Sequence, residues 1–488
     1  MTPQSIFKKS RPNVSGATVF DNEFPVGENP GICCEAEDLR DEPIGIPEQS
    51  EIDVVRHFTN LSRQAHGVDN GPYPLGSCTM KYNPKRNDKL AMLDGFGRLH
   101  PRQPADSMQG VWQMLWDLQT YIAELTGMDA VTLQPAAGAH GEFTGLLVMK
   151  KHFEKIGQAH RKVILIPDTA HGTNPASAAM CGFTCKIIAT SKEGMMDLDA
   201  FEAALDENVA GLMITNPSTL GLFEQNIETI ANKIHDNGSL LYYDGANLNA
   251  IMGLIRPGDM GFDVIHINTH KTLSTPHGGG GPGAGPCGVK KFLEPYLPTP
   301  VIRPIDGAPM PDYDRPDSVG KVKTHFGHIE VLLRAYCYIL ANGAIGLKTA
   351  TENAVLNANY IKHQLQDLLP NVFPQNCMHE CLLHGGSLDV RGADFVKRLI
   401  DFGVHPPTLV GAGCVHFAEE FDDAMLIEPT ETESLESLDF MIEQFRKVAS
   451  EAKVAPYMIE TAPHTAATAK IIHNESAWMS IYDPEEGR

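Results

Sequence analysis

Lys271 and Asp244 are the two residues of this sequence that could carry chemistry as a pair. Lys271 ends the apolar run Asp263–Lys271, and Asp244 lies in the preceding run, Ser239–Asn247. A lysine amine condenses with an aldehyde, and a carboxylate in a poorly solvated site keeps a ring nitrogen protonated. A protonated ring is a stronger electron sink. A lone lysine at a strand end is most often a solvated charge, so the prediction of an aldehyde-bearing pyridine cofactor depends on the pair.

The segment from Ala136 to Ala139 consists of small residues and comes directly before a helical pattern. Free backbone N–H groups and the helix dipole at such a helix start suit an anion. An ordinary close-packed helix start uses the same residue types, and the segment alone does not decide between the two. With Asp244 and Lys271 in order downstream, a phosphate site is favoured.

The run of four glycines after Lys271, Gly278–Gly281, matches no complete motif. Gly283–Gly288 fits G-x-G-x-x-G but follows a loop instead of a strand, so a dinucleotide fold is not predicted. His277 with its glycines resembles a lipase oxyanion loop, but the chain has no G-x-S-x-G nucleophile. We expect glycines such as Gly279 to let the chain turn sharply and approach a ligand or a neighbouring subunit.

Four apolar runs predict the strands that would position these residues. They are rich in β-branched and aromatic residues and end in polar or turn residues: Lys162–Asp168, Val209–Pro217, Ser239–Asn247 and Asp263–Lys271. Between the second and third, Leu222–Gly238 has helical spacing and Gly238 to cap its end, which predicts a βαβ crossover. Ligands bind at the carboxyl ends of strands in an open parallel sheet. Polar residues should therefore converge there: Asp168 with His171, Ser218 with Thr219, Asp244, and Lys271.

The pattern changes after about residue 345 into amphipathic helices separated by short apolar stretches. The helical patterns are Asn353–Pro370, Gly392–Val404 and Glu433–Ala452, the last with a capping box from Thr430 to Glu433. We therefore predict an N-terminal arm at 1–75 that wraps over a neighbour, a large α/β domain at 76–345 and a small α+β domain at 346–488.

The composition limits the classes of partner. A net charge of −22 argues against nucleic acid or an anionic membrane as a partner, because polyanions are repelled over most of the surface. The N-terminal sequence does not fit a signal peptide, so a reducing, cytoplasmic location is expected. Cys181 with Cys185, and Cys377 with Cys381, each lack the second ligand pair of a zinc site. No metal is expected, and the ten cysteines are predicted to be free thiols.

Six longer motifs in one order resemble the P-protein family of the glycine cleavage system, which decarboxylates glycine with pyridoxal phosphate. They are Pro74–Pro84, Gln134–Glu142, Asp168–Ala178, Asn216–Glu224, Tyr242–Ala250 and Asn268–Lys291. The chain is similar to the lysine-bearing subunit of the two-subunit form, subunit 2 or β. The resemblance implies a fold-type I fold of pyridoxal-phosphate-dependent transferases, like that of aspartate aminotransferase. It also implies a large cofactor domain and a small C-terminal domain.

The resemblance assigns roles to individual residues by motif. Lys271 would bind the cofactor aldehyde and Asp244 the ring nitrogen, while Ala246 and His171 would cover the two ring faces. The remaining assignments are phosphate binding by the N–H groups of Ala137, Gly138 and Ala139, the ring hydroxyl for Thr219 with Ser218 as the alternative, and a substrate pocket lined by Ser77, Cys78 and Thr79. His270 and His277 flank Lys271 and would either assist proton transfer or serve as structural hydrogen-bond donors.

The activity implied by the resemblance is that of glycine dehydrogenase (aminomethyl-transferring). Glycine would lose CO2, and its aminomethyl group would pass to the lipoyl arm of the H-protein. The implied partners are subunit 1, in an α2β2 heterotetramer, and the lipoylated H-protein, guided by basic residues such as Lys321, Lys323 and Arg334. An amino-acid decarboxylase or cysteine desulfurase of the same fold, and a cofactor-free scaffold, are the alternatives.

Overall fold

The computed structural model describes residues 6–12, 14, 16, 45–278, 283–388, 390–410 and 423–466. The chain divides into two compact units, residues 1–67 with 462–488, and residues 68–461. In the first unit, helix α1 (Glu51–Ser62) begins after Ser50, whose side chain accepts a hydrogen bond from the backbone N–H of Asp53. Gly279 lies outside the described residues, as do residues 17–44 of the predicted N-terminal arm.

The second unit contains the elements that position the predicted site. Its helices are α2 (Lys85–Ala91), α3 (Asp94–Gly97), α4 (Gln109–Thr126), α5 (Gly138–Lys155), α6 (Thr173–Met180), α7 (Leu198–Ala204), α8 (Ile227–Asp236), α9 (Thr269–Thr272), α10 (Ile329–Leu365), α11 (Gly392–Ile400), α12 (Leu435–Val454) and α13 (Pro456–Glu460). Its strands are β1 (Ala130–Thr132), β2 (Val163–Pro167), β3 (Thr184–Ile188), β4 (Val209–Thr215), β5 (Leu240–Gly245), β6 (Val264–Ile267), β7 (Cys287–Val289), β8 (Val301–Ile305), β9 (Ala308–Asp312), β10 (Cys381–Leu383), β11 (Thr408–Leu409) and β12 (Met425–Ile427).

The main sheet has seven strands in the order β1-β7-β6-β5-β4-β2-β3. Strands β2 to β6 run parallel, and β7 pairs antiparallel with both β6 and β1. The four predicted strands are β2, β4, β5 and β6, so this prediction is confirmed. Every residue of β4 and β5 is buried. Burial on both faces explains why these strands are continuous apolar runs without alternation.

The two faces of the sheet carry separate layers of core. Leu241 and Tyr243 of β5 pack on one side, with residues of α4, α8 and the first part of α10. Leu240 and Tyr242 pack on the other side, with residues of α5 and α6. Side chains alternate along a strand, so Asp244 lies on the same side as Tyr242 and faces α5 and α6. Asp244 therefore lies between the sheet and those two helices.

The predicted crossover helix between β4 and β5 is shorter than the sequence pattern. It begins at Ile227 instead of Leu222, and it ends at Asp236. Phe223, at the right spacing for the helix, packs against the core from the preceding loop. Gly238 has a φ of 71° and ends the helix as predicted, since this left-handed conformation favours glycine.

A second core lies around the antiparallel sheet β10-β12-β11. The end of α10 packs there with α11 and α12. Helix α10 is long and apolar enough to cross a membrane by length and composition. Its residues Val331, Leu332 and Leu347, however, pack into the same core layer as Leu241 and Tyr243. Its Gly343 has non-helical torsions, φ 59° and ψ −176°, which break the helix in two.

The predicted capping box before α12 is wrong. The helix begins after Ser434, whose side chain accepts a hydrogen bond from the N–H of Ser437. Thr430 is left-handed, with a φ of 67°, and its backbone carbonyl accepts from the amide of Asn357 instead. A serine four residues later satisfies the same helix N–H requirement, and sequence spacing alone did not distinguish the two.

Candidate active site

Lys271 is a buried amine directly beyond the end of strand β6. Asn268 follows the strand, and the next residues form the single helical turn α9, which turns Lys271 inward. Only 8% of the residue is exposed. Its Nζ donates a hydrogen bond to the carbonyl of Ser77, at 2.9 Å. The structure thus brings the predicted lysine to the loop that was predicted to line the substrate pocket.

Asp244 lies at the carboxyl end of β5, the strand beside β6. Its Oδ2 accepts from the amide of Asn174 at 2.9 Å, and its Oδ1 accepts from the N–H of Ala246 at 3.0 Å. The Nε2 of His266 lies 3.2 Å from Oδ1. Burial by itself would raise the pKa of Asp244, but His266, Asn174 and Ala246 together lower it below the ordinary value. Asp244 is therefore an ionised carboxylate in a buried site.

His266 and Asn174 were not assigned roles from the sequence. Asp244 and His266 are register partners of the parallel pair β5 and β6, so their side chains lie on the same face. Nδ1 of His266 contacts the hydroxyl of Tyr242 at 3.1 Å, which fixes the ring. Asn174 lies in the first turn of α6, and its side-chain amide extends from there to Asp244. Only the strand register, which the sequence does not state, would have pointed to His266.

The predicted phosphate segment forms the start of helix α5. Ala137 precedes the first turn in an extended conformation, and no side chain caps the helix. The first N–H groups are therefore open to an anion. A Cβ on Gly138 would lie 2.0 Å from Oδ1 of Asn268, so the start of α5 packs directly against the residue that leads into Lys271's helical turn. Ala139 is exposed beside it.

The residues predicted to cover the ring faces are Ala246 and His171. Ala246 is half-buried and follows β5 directly. His171 is exposed in the loop before α6, where its Nδ1 lies 2.9 Å from the hydroxyl of Thr173. That hydroxyl donates to Glu142 of α5 at 2.7 Å. The stacking roles of Ala246 and His171 stay predictions.

Thr219 and Ser218 follow β4 at the same edge of the sheet. Thr219 is buried, and its hydroxyl donates to the carbonyl of Thr169. The Ser218 hydroxyl accepts from the N–H of Leu220 at 3.3 Å. The Thr219 proton is thus engaged within the protein, and only its oxygen lone pairs are left for a ring hydroxyl. The assignment of Thr219 stays a prediction.

The segment from Ser77 to Thr79 lies between Lys271 and the second core. Ser77 and Thr79 have positive φ angles of 62° and 50°. Their N–H groups donate to Glu380 and Glu428, at 2.6 Å and 2.9 Å. Burial raises the pKa of the Cys78 thiol, although Lys271 opposes the shift. These two glutamates had no motif in the sequence that marked them.

His270 and His277 face each other beside Lys271, with ring centroids 4.7 Å apart. Burial, His277 and Lys271 lower the pKa of His270 to about 3. Burial and Lys271 likewise lower the pKa of His277. With this low pKa, His270 is neutral at neutral pH and is a weak base. It is therefore better suited to hydrogen bonding than to accepting a proton.

Lys81 is a second buried lysine of the site that the sequence did not mark. Its Nζ binds Oε1 of Glu431 at 2.6 Å, Oδ1 of Asn249 at 2.9 Å and the carbonyl of Thr272 at 3.0 Å. Thr272 is the last residue of α9. The Lys81 ammonium therefore holds the end of the turn that carries Lys271.

Two family models match this chain. Residues 90–303 match the model described as the glycine cleavage system P-protein. Residues 350–467 match the glycine dehydrogenase C-terminal domain. The first matched range contains Asp244 and Lys271, and the second matched range contains Glu380 and Glu428.

Curated relatives of similar length match nearly the whole chain. A probable glycine dehydrogenase (decarboxylating) subunit 2 of Caldanaerobacter subterraneus is 54% identical over 89% of both chains. One of the same description from Listeria innocua is 49% identical over 97% of this chain and 96% of its own length.

Solved structures with low sequence identity share the fold. A glycine decarboxylase (P-protein) of the glycine cleavage system, in inhibitor-bound form, has a TM-score of 0.69 at 21% identity, covering 85% of this chain and 93% of its own. Lactobacillus brevis glutamate decarboxylase has a TM-score of 0.63 at 13% identity, covering 86% and 98%. The predicted fold-type I architecture is confirmed.

Proposed function

Because this chain belongs to the glycine dehydrogenase (decarboxylating) subunit 2 family of the glycine cleavage system, we propose that Lys271 is its catalytic lysine. Glycine is decarboxylated with pyridoxal phosphate, and the aminomethyl group passes to the lipoyl arm of the H-protein. One observation carries the proposal: a buried amine and a buried, ionised carboxylate, Lys271 and Asp244, lie at the ends of adjacent parallel strands.

The residues of the site fit pyridoxal phosphate. The uncapped start of α5 offers N–H groups for a phosphate, and it packs against Asn268, whose Oδ1 is buried without a hydrogen-bond partner among the described residues. Ala137, Gly138 and Ala139 would hold the phosphate, Lys271 the aldehyde carbon and Asp244 the ring nitrogen. When bound, the cofactor supplies an electron sink for the electrons of the breaking bond between Cα and the carboxylate.

The chain's own residues supply charge, positioning and proton transfer. Asp244, held ionised by His266 and Asn174, favours a proton on the ring nitrogen. The Lys271 amine is the proton carrier of the site, and the Ser77 carbonyl directs it. The burial of Lys271 favours loss of the charged carboxylate as neutral CO2. His270 and His277 contribute neutral hydrogen-bonding groups.

A partner subunit is supported by exposed apolar side chains of the second unit. Helices α2 and α3 pack against α10. Met92, between α2 and α3, is 73% exposed, and Ile345 of α10 is 85% exposed. We propose that this surface, with Leu93 and Leu340, binds subunit 1 in an α2β2 assembly in the cytoplasm. The same proposal includes a large domain at 76–345 and a small domain at 346–488. It also includes docking of the H-protein on basic residues such as Lys321 and Lys323.

The test is the visible absorption of the purified chain with subunit 1 and pyridoxal phosphate, titrated with glycine and then with alanine. We expect a cofactor band that glycine perturbs and alanine does not, and that Lys271→Ala loses. A band that does not respond to glycine would point to a different enzyme of this fold. Absence of a band in the unmodified protein would refute the role of Lys271.

A further inference from the structure

His379, Glu380 and Glu428 form a buried cluster, each of them 0% exposed. Glu380 directly precedes β10, and Glu428 directly follows β12. The antiparallel register pairs Cys381 with Ile427, which places the two glutamates side by side. Two carboxyl groups are therefore enclosed together, away from solvent.

Each glutamate holds one end of the loop Ser77–Thr79. Oε2 of Glu380 accepts from the N–H of Ser77 at 2.6 Å, and Oε2 of Glu428 accepts from the N–H of Thr79 at 2.9 Å. Left-handed conformations at residues other than glycine persist only where the surroundings enforce them. The two carboxyl groups are the enforcing contacts. From the same loop, the Ser77 carbonyl reaches Nζ of Lys271.

The other oxygens of the pair face an imidazole. Oε1 of Glu380 and Oε1 of Glu428 each lie 3.8 Å from Nε2 of His379. Neither oxygen, and neither nitrogen of His379, has a hydrogen-bond partner among the described residues. Two adjacent buried carboxylates cannot both ionise without a large penalty, so the adjacency of Glu380 and Glu428 favours one proton on the pair.

The groups around the cluster agree with one proton on the pair. Burial raises the pKa of Glu380 well above its ordinary value, and Glu428 adds to the shift. Burial raises the pKa of Glu428 to about 7. Burial and Lys271 lower the pKa of His379 to about 3, so the imidazole is neutral. The other titratable groups that face the cluster are Cys78, Cys377, Cys381 and Glu431.

We propose that Glu380 and Glu428 share one proton and act as positioning residues that clamp the Ser77–Thr79 loop, which aims the Ser77 carbonyl at the Lys271 amine. The clamp deepens the proposed function and rests on it for the role of Lys271. A single negative charge on the pair faces Lys271 across the loop. A second charge would repel the first, and loss of both oxygens on one side would release a strained loop residue.

The first experiment measures Lys271 without requiring catalysis. In the complex with subunit 1, the rate at which pyridoxal phosphate is trapped on Lys271 by borohydride is followed against pH, with peptide mass spectrometry to locate the label. We expect Glu380→Ala to slow trapping about tenfold, as for loss of one strong hydrogen bond, and to shift the pH profile. Glu380→Gln keeps an oxygen acceptor and mimics the neutral acid, so it should restore both.

The matched control is Glu443→Gln on α12, whose side chain is 61% exposed and pairs with Lys447. It should trap cofactor at the unmodified rate. Thermal unfolding of every variant separates a clamp from a folding defect. A folded Glu380→Ala protein with unchanged rate and pH profile would overturn the clamp. Normal trapping in the unmodified protein without any response to glycine would instead refute the proposed function and leave the clamp standing.

The shared proton has a separate readout. Infrared spectra at neutral pH should show the carbonyl stretch of a protonated carboxylic acid, which the double variant Glu380→Gln with Glu428→Gln should lose. Absence of that band in the unmodified protein would overturn the shared proton. So would elemental analysis that finds one divalent cation per chain, lost in Glu428→Gln, because a cation would then occupy the place of the proton.

Discussion

At the scale of single residues, the site depends on buried ionisable groups whose protonation states are set by their neighbours. Asp244 keeps its charge because three groups contact its two oxygens: the amide of Asn174 on α6, the N–H of Ala246 directly after β5, and Nε2 of His266 on β6. Glu380 and Glu428 receive one backbone donor each and crowd one another, and their pKa values rise. The surroundings therefore favour the ionised form of the Asp244 carboxyl group and the protonated form of the Glu380 and Glu428 carboxyl groups.

Asp244→Asn tests the ionised carboxylate. The amide preserves the shape but removes the charge opposite the ring nitrogen, so we expect glycine decarboxylation to fall about a hundredfold, with the protein still folded. Measurements of 14CO2 release and of cofactor affinity check this. Asp259→Asn, at an exposed ion pair with Arg256, is the control and should retain full activity. Equal rates for the two variants would contradict the role of Asp244.

Glu428 predicts how stability depends on pH. A folded-state pKa of about 7, against 4.5 when unfolded, means that the folded chain retains a proton that the unfolded chain releases. Its contribution to stability is full below about 4.5 and decreases as the pH rises to about 7, with a slope of at most about 1.4 kcal/mol per pH unit. Chemical denaturation across this window should show a flatter profile in Glu428→Gln. A profile identical to that of the unmodified protein would exclude the raised pKa.

At the scale of secondary structure, a glycine face on α5 lets the helix approach the sheet. A Cβ on Gly141 would lie 2.7 Å from the carbonyl of Gly285, and one on Gly145 would lie 2.5 Å from the ring of Tyr242. With Gly138, these residues recur on one side of the helix. The helix start thereby comes within contact of Asn268 and the turn that carries Lys271. The close packing of α5 and the proposed cofactor binding depend on the same face of the helix.

Gly141→Ala tests that approach. The added methyl group has no room, so we expect the free energy of unfolding to fall by about 1–3 kcal/mol and cofactor affinity to fall with it. Gly110→Ala on α4 is the matched control, because nothing lies within 4 Å of its Cβ position. The control should be neutral or slightly stabilising. Urea denaturation of both variants, with cofactor titration, gives the comparison, and equal stabilities would show that α5 can move away.

At the scale of the whole molecule, the site joins segments that are far apart in the chain. Lys81 and Glu431 are separated by 350 positions and meet as a buried ion pair, with side chains 0% and 8% exposed. Lys81 also holds the carbonyl of Thr272, so the segment before α12, the loop near residue 80 and the lysine-bearing turn depend on one ammonium group.

Lys81→Met should be strongly destabilising because it leaves the Glu431 carboxylate buried and unpaired. We expect a loss of about 3–5 kcal/mol in unfolding free energy. Lys85→Met removes a lysine whose ion pair with Asp69 is about half exposed, and we expect little change. Denaturation curves of the two variants check the difference. A Lys81 variant as stable as the Lys85 variant would mean that Glu431 takes up a proton at little cost.

The sequence by itself determined the parallel strands, the buried pair Lys271 and Asp244 and the uncapped helix start, because local patterns encode each of them. Apolar runs, strand ends and small residues before a helix are readable over a few positions. It also determined the family through motifs such as those around Asp244 and Lys271.

Only the tertiary structure decided which side chains surround those residues. His266 reaches Asp244 through strand register, Glu380 and Glu428 meet through antiparallel pairing in the second core, and Lys81 finds Glu431 across the chain. No local pattern marks these partners, since contacts between distant segments depend on how whole elements pack. The start of α12 also depended on which of several nearby hydroxyl groups faced the helix, and the motif at Thr430 could not decide it.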